Sequence, residues 1–198
     1  MSTELTPEFF KAYWEKAAPI DAYLEDLLKA EPHESNPYDQ YIPINQQRVK
    51  RLVSRTRLTP EVESKAIQTP ANTKWLIINE HWCGDGAQIV PVQAAIARAS
   101  QGRIEARVLL RDDNLELMDE FLTNGGRSIP KTILMDADFR VQGSWGPRPA
   151  EASALVKRIK SDPHIAHTYS QELHKWYAKN KQIAIQEEVA EHLIPTSR

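Results

Sequence analysis

The sequence predicts an α/β fold with a central mixed sheet flanked by helices, and with helical extensions at both ends. Three observations carry this reading. Trp75-Leu76-Ile77-Ile78 is a short continuous apolar run, as expected of a strand buried on both faces. The stretch around it alternates strand-like and helix-like periodicity in the order strand, helix, strand, helix, hairpin, helix. The residues before about 70 and after about 160 carry helical periodicity alone. The expected organisation is therefore an N-terminal helical extension over 1–70 packed on the core, a core over 71–160, and a C-terminal helix over 161–198.

In the first zone, Thr6-Pro7-Glu8 is a helix start, with a hydroxyl cap, proline at the first helical position and an acid facing the dipole. Phe10, Tyr13, Trp14 and Ala17 then fall on one face. A second helix after Pro19 carries Leu24, Leu27 and Leu28. Pro32, Pro37 and Pro43 mark a loop over 31–43. A further helix carries Val49, Leu52 and Val53, and Thr59-Pro60-Glu61 repeats the start signal. In the core, a helix with Ile89, Val92 and Ile96 follows the Trp75 strand, and Ile104 to Leu110 reads as the next strand. Asp113 is placed to cap a helix with Leu115, Met118 and Leu122, which Asn124-Gly125-Gly126 stops. Thr132 to Met135 and Val141 to Trp145 form a hairpin around Asp136-Ala137-Asp138. Ala152, Leu155, Val156 and Ile159 mark the last core helix. The third zone reads as one long polar helix containing Leu173, Trp176, Tyr177 and Ile183.

Charge excludes some functions. With 25 basic against 27 acidic residues, net charge is -2, so neither a nucleic-acid surface nor a polybasic membrane patch is expected. No stretch approaches the roughly 20 apolar residues that span a bilayer, and the N-terminus does not read as a secretory signal. One cysteine excludes an intrachain disulfide and an all-cysteine metal site, and points to a reducing, bacterial-type cytoplasm.

That cysteine, Cys83, lies between the buried strand and the start of a helix, a position where unpaired N–H groups and the dipole stabilise a thiolate. Trp82 would shield one side. Asp85 suits the helix start but opposes a nearby thiolate, whereas a protonated His81 and Arg127 would favour it. The balance predicts an accessible thiol with a modestly lowered pKa; the competing reading is an inert buried cysteine. Pro91 should kink the following helix. Ile129-Pro130, after a glycine pair and before a strand, is a candidate cis bond. His164, His167 and His174 read as a solvated helix face, not as metal ligands.

Trp82-Cys83-Gly84, Pro91, Ile129-Pro130 with Thr132 beyond, and the hairpin ending in Trp145-Gly146 resemble, in that order, the thioredoxin superfamily across 71–160. More narrowly, Trp82-Cys83-Gly84-Asp85 and Gly125-Gly126-Arg127-Ser128-Ile129-Pro130 look like a group of bacterial thioredoxin-like proteins with a single cysteine. The resemblance implies a thioredoxin-like fold, a cis-proline facing the active cysteine, and a backbone there that binds extended peptide or a small thiol. It also marks two departures. The second cysteine of the family falls at Gly86, and the buried acid that assists proton transfer falls at Ile77. A dithiol thioredoxin is excluded, because no internal thiol can release a mixed disulfide.

Two readings follow. In the first, Cys83 carries monothiol thiol-disulfide exchange with a protein disulfide or small thiol, and an external thiol resolves the adduct. Trp82, Gly84, Asp85, Ile129 and Pro130 shape the site, and Arg127, with Arg148, anchors a carboxylate. No resident cofactor is implied; glutathione or a related small thiol would be co-substrate. In the second, the fold is a non-catalytic binding module, with the groove beside Pro130 taking a peptide and the terminal helices serving a partner or a homodimer. A cysteine-bridged iron–sulfur cluster is disfavoured by the lack of the phenylalanine-serine pair after Cys-Gly. On either reading, a cysteine placed at 86 would restore a Cys-x-x-Cys pair one helical turn on and raise reductase activity.

Overall fold

A computed structural model describes residues 5–195. Its centre is a five-stranded mixed sheet in the order β1-β3-β2-β4-β5, formed by Ala18–Pro19 (β1), Thr73–Asn79 (β2), Ile104–Leu110 (β3), Lys131–Met135 (β4) and Val141–Trp145 (β5). β2 and β3 are parallel; β4 is antiparallel to both β2 and β5. The two-residue β1, which has no periodic signature in the sequence, pairs antiparallel with β3.

β2 is buried along its whole length. Because successive side chains point to opposite faces, Trp75 and Ile77 enter one core while Leu76 and Ile78 enter another. The first core lies under α2 (Ile20–Lys29), α3 (Ile42–Arg55), α4 (Pro60–Gln68), α5 (Gly86–Ala99), α7 (Ala150–Lys160), α8 (Tyr169–Asn180) and α9 (Ile183–His192). The second lies under α1 (Pro7–Lys16) and α6 (Leu115–Asp119). The Thr6 and Thr59 hydroxyls cap α1 and α4 as their sequences specify.

Some boundaries differ from expectation. α6 ends at Asp119, so Leu122 lies outside it and is exposed, and Asn114 rather than Asp113 precedes it. Leu28 and Val53 are exposed, since each sits at the edge of its helix's apolar stripe. The C-terminal zone is two helices, not one. Consecutive left-handed residues Lys181 and Gln182 separate α8 from α9 and let the chain turn back onto the core. There the buried Trp75 indole N–H donates to the Leu193 carbonyl at 2.8 Å, tying the C-terminal end to the central strand. Among the described residues, no helix is long and apolar enough to cross a membrane.

Candidate functional site

The turn from Glu80 to Asp85 joins the end of β2 to α5, the carboxyl end of a central strand where open α/β sheets place their sites. The Cys83 N–H donates to the Glu80 carbonyl at 3.0 Å, and the Cys83 carbonyl accepts from Ala87 N–H at 3.0 Å. The sulfur therefore lies against the first turn of α5. Sγ accepts from Gly86 N–H at 3.3 Å and, as the thiol, donates to the Ile129 carbonyl at 3.4 Å. Ile129–Pro130 and Gly146–Pro147 are cis peptides. Cys83, Ile129 and Pro130 are all buried.

This burial corrects the expectation of an accessible, acidic thiol. Loss of solvent pushes the Cys83 pKa up to about 12, and the Asp85 charge adds to the rise. The Gly86 and Asp85 N–H groups and Arg148 act in the opposite direction without overcoming it. His81 does not assist. Burial holds it below the ordinary histidine range despite Asp26, so it is neutral at pH 7.

Asp85 also takes a role the sequence does not specify. It makes no side-chain cap to α5. Instead one carboxylate oxygen accepts from Arg148 Nε at 3.0 Å and from Arg148 Nη2, and the other accepts from the Tyr177 hydroxyl at 2.7 Å. A motif residue thereby holds the loop after β5 and helix α8 against the cysteine turn. The Arg127 side chain has a different partner. It forms an exposed pair with Asp119 at 2.6 and 2.7 Å, so its guanidinium is already engaged by a carboxylate. Of the two arginines expected to anchor an anion, Arg148 is the one beside the cysteine turn, and Asp85 neutralises it.

Trp82 is half-buried between Tyr38, stacked at 4.8 Å between ring centroids, and the Arg111 guanidinium, 4.9 Å from its ring. Two further groups border the space that a side chain at Gly84 would fill. A Cβ there would sit 3.1 Å from His174 Nε2 and 3.4 Å from Arg48 Nη1. His174 is thus not on a solvated face; burial, with Arg48 nearby, lowers its pKa to about 4. At Gly86, the family's second cysteine position, a Cβ would fall 2.2–2.6 Å from the Asn79 side chain. Asn79 is fully buried and donates to the Tyr23 hydroxyl at 2.8 Å. The space that a resolving thiol needs is filled by an amide. Ile77, at the position of the family acid, is wholly buried in the apolar core.

Asn45, Arg48 and Asn79 belong to no motif in the sequence, and Tyr177 reads there only as part of the C-terminal helix. One signal was available. Ile42, Asn45, Val49 and Leu52 share a helical stripe, and a lone amide on such a stripe marks a buried polar contact. Among the described residues, no group of three histidine, cysteine or acidic side chains could hold a metal.

A family model described as thioredoxin matches residues 32–162, about two-thirds of the chain. A Pseudomonas aeruginosa protein of unknown function shares the fold, with a TM-score of 0.60 and 15% identity over 90% of this chain and 93% of its own. An HIV epitope-scaffold aligns with a TM-score of 0.48 and 16% identity, over 83% of this chain and 97% of its own. No curated protein matches. With its cysteine at the head of α5 facing the Ile129–Pro130 loop, and with the family model spanning both, the chain belongs to the thioredoxin family.

Proposed function

We propose that this protein is a non-catalytic thioredoxin-fold binding module, whose single cysteine fastens the proline loop to the head of α5. The observation that carries the reading is the buried Cys83 thiol donating to the Ile129 carbonyl, with its pKa pushed up to about 12. At pH 7 such a thiol is protonated, and the thiolate is the nucleophile. The amide of Asn79 where a resolving thiol would stand supports the same reading. The partner is a protein or peptide segment engaging the surface around Trp82 and Gly84, in place of the expected groove at Pro130, which is buried, and in a reducing cytoplasm that keeps a lone thiol unpaired.

One observation favours monothiol exchange instead. Gly86 N–H already points at Sγ, and Arg148 is close enough to stabilise a thiolate once a substrate opens the site. Alkylation decides between the two, and with one cysteine the readout is unambiguous. Native protein is treated with iodoacetamide from pH 6 to 10 and the Cys83 adduct is followed by mass spectrometry. The module reading expects labelling far slower than that of the urea-unfolded chain, with no plateau by pH 10. Fast labelling at pH 7 with a midpoint below the ordinary thiol range would establish the redox reading.

A further inference from the structure

Arg48 is one of the arginines with no carboxylate within salt-bridge distance among the described residues, and it is placed beside the cysteine turn. Arg98, Arg107, Arg111, Arg127, Arg140 and Arg148 each pair with a carboxylate. Arg48 is half-buried on α3, and its Nη1 donates to the Asn45 amide oxygen at 2.9 Å. Asn45 is wholly buried, and its amide nitrogen donates to the His81 carbonyl at 3.0 Å. A buried side chain thus locks α3 to the cysteine turn and aims the guanidinium at Gly84. From the other side, α8 brings His174, whose Nε2 faces the same Gly84 Cα and whose Nδ1 is buried without a partner. The acid nearby, Asp85, is committed to Arg148 and Tyr177. Three separated parts of the chain therefore converge on one backbone point beside Cys83, and bring there a guanidinium with no direct carboxylate partner among the described residues and an imidazole, with the Asp85 charge near both.

We infer that Arg48 and His174, above Gly84, form an oxyanion subsite that takes a carboxylate or phosphate group of the module's partner. A partly desolvated guanidinium has donors left to bind such a group in its own plane, and an imidazole beside it adds another. The absent Cβ at Gly84 leaves room for both groups against the backbone. This rests on the binding-module reading, and it gives the partner a charge and a place.

The test uses the full chain and inorganic phosphate, with acetate as the carboxylate arm and chloride at matched ionic strength as the control. His174 faces Arg48 and Asp85, and Arg51 adds its charge to Arg48. An anion bound between Arg48 and His174 offsets the guanidinium and favours the imidazolium. The His174 titration, followed by NMR and assigned with His174→Gln, should therefore move up by about one pH unit or more from about 4. Arg48→Met should itself raise the His174 midpoint, by removing a neighbouring cation, and should abolish any further response to phosphate or acetate. Arg48→Lys, which keeps the charge but loses the fork, should retain a weaker response. A response to phosphate alone identifies a phosphoryl partner; a response to acetate identifies a carboxylate. An unchanged His174 midpoint in both anions, or a response that persists in Arg48→Met, overturns the subsite. Because Cys83 is not read in this assay, failure of the thiol prediction and failure of the subsite remain separable.

Discussion

Introducing a cysteine at Gly86 restores the Cys-x-x-Cys pair in sequence, but in space it puts a Cβ 2.2, 2.3 and 2.6 Å from Oδ1, Nδ2 and Cγ of Asn79. Those separations are inside the 3.0 Å that real Cβ atoms respect, so the amide must move. Asn79 is fully buried and its Nδ2 donates to Tyr23, so rotation abandons that bond in apolar surroundings, at about 1–3 kcal/mol. Overpacking by the added atoms costs about 1–3 kcal/mol more. The expected loss for Gly86→Cys is centred on about 4 kcal/mol, or roughly 8–16 °C in Tm for a chain of this length. Thermal and urea unfolding measure it. Insulin-disulfide reduction, run alongside, should stay at background. Asn79→Ala opens the space, so the double variant should be more stable than the two single losses predict, by about 1 kcal/mol or more. A Gly86→Cys protein of wild-type stability, or one that reduces insulin, refutes the argument that Asn79 blocks the resolving position.

Glu80 holds its proton to about pH 7 because burial opposes its charge, against an ordinary value of 4.5. The folded state then binds more protons than the unfolded chain between those values. Stability should fall as pH rises through that window, by on the order of 2–3 kcal/mol, and stay flat above it; urea melts at pH 5 and 8 should show this, and an undiminished slope in Glu80→Gln would exclude Glu80 as its source. Asp85→Asn removes the partner of the largely buried Arg148 and should cost about 2–4 kcal/mol. It also removes a charge that raises the Cys83 pKa, so alkylation should begin at lower pH than in wild type, and an unmoved profile would count against that coupling.

The fold was legible because its signals are local and redundant. The buried run in β2, the proline-marked helix starts and the hairpin before Trp145 each fix an element without reference to the others. β1 left no trace, because two residues are too few for periodicity and Pro19 argues against a strand. The site was legible only in part. Sequence order placed Cys83 opposite the Ile129–Pro130 loop, since both sit at ends of neighbouring strands. It said nothing of burial. The thiol's pKa depends on what covers the turn, and that cover comes from distant parts of the chain: Tyr38 and Arg48 before it, His174 and Tyr177 after it. Arg127 was misjudged for a related reason. Proximity to Pro130 along the chain cannot reveal that Asp119, eight residues earlier, takes up its guanidinium.

The positions where catalytic thioredoxin chemistry is missing are occupied by groups that stabilise a closed site. Ile77 adds to the core where an acid would carry a buried charge. Asn79 fills the space behind Gly86 and bonds Tyr23 on α2. Asp85, free of any capping duty, recruits Arg148 and Tyr177, and so draws α8 across the turn. The Asp85 contacts to Arg148 and Tyr177 hold distant parts of the chain against the turn in which Cys83 is buried. On the binding-module reading, the fold has no use for an exposed thiolate. It still presents, around Gly84 and Trp82, a surface assembled from both helical extensions. On that reading the surface around Gly84 and Trp82, more than the sulfur, would carry recognition, and the His174 titration in phosphate and acetate is what tests it.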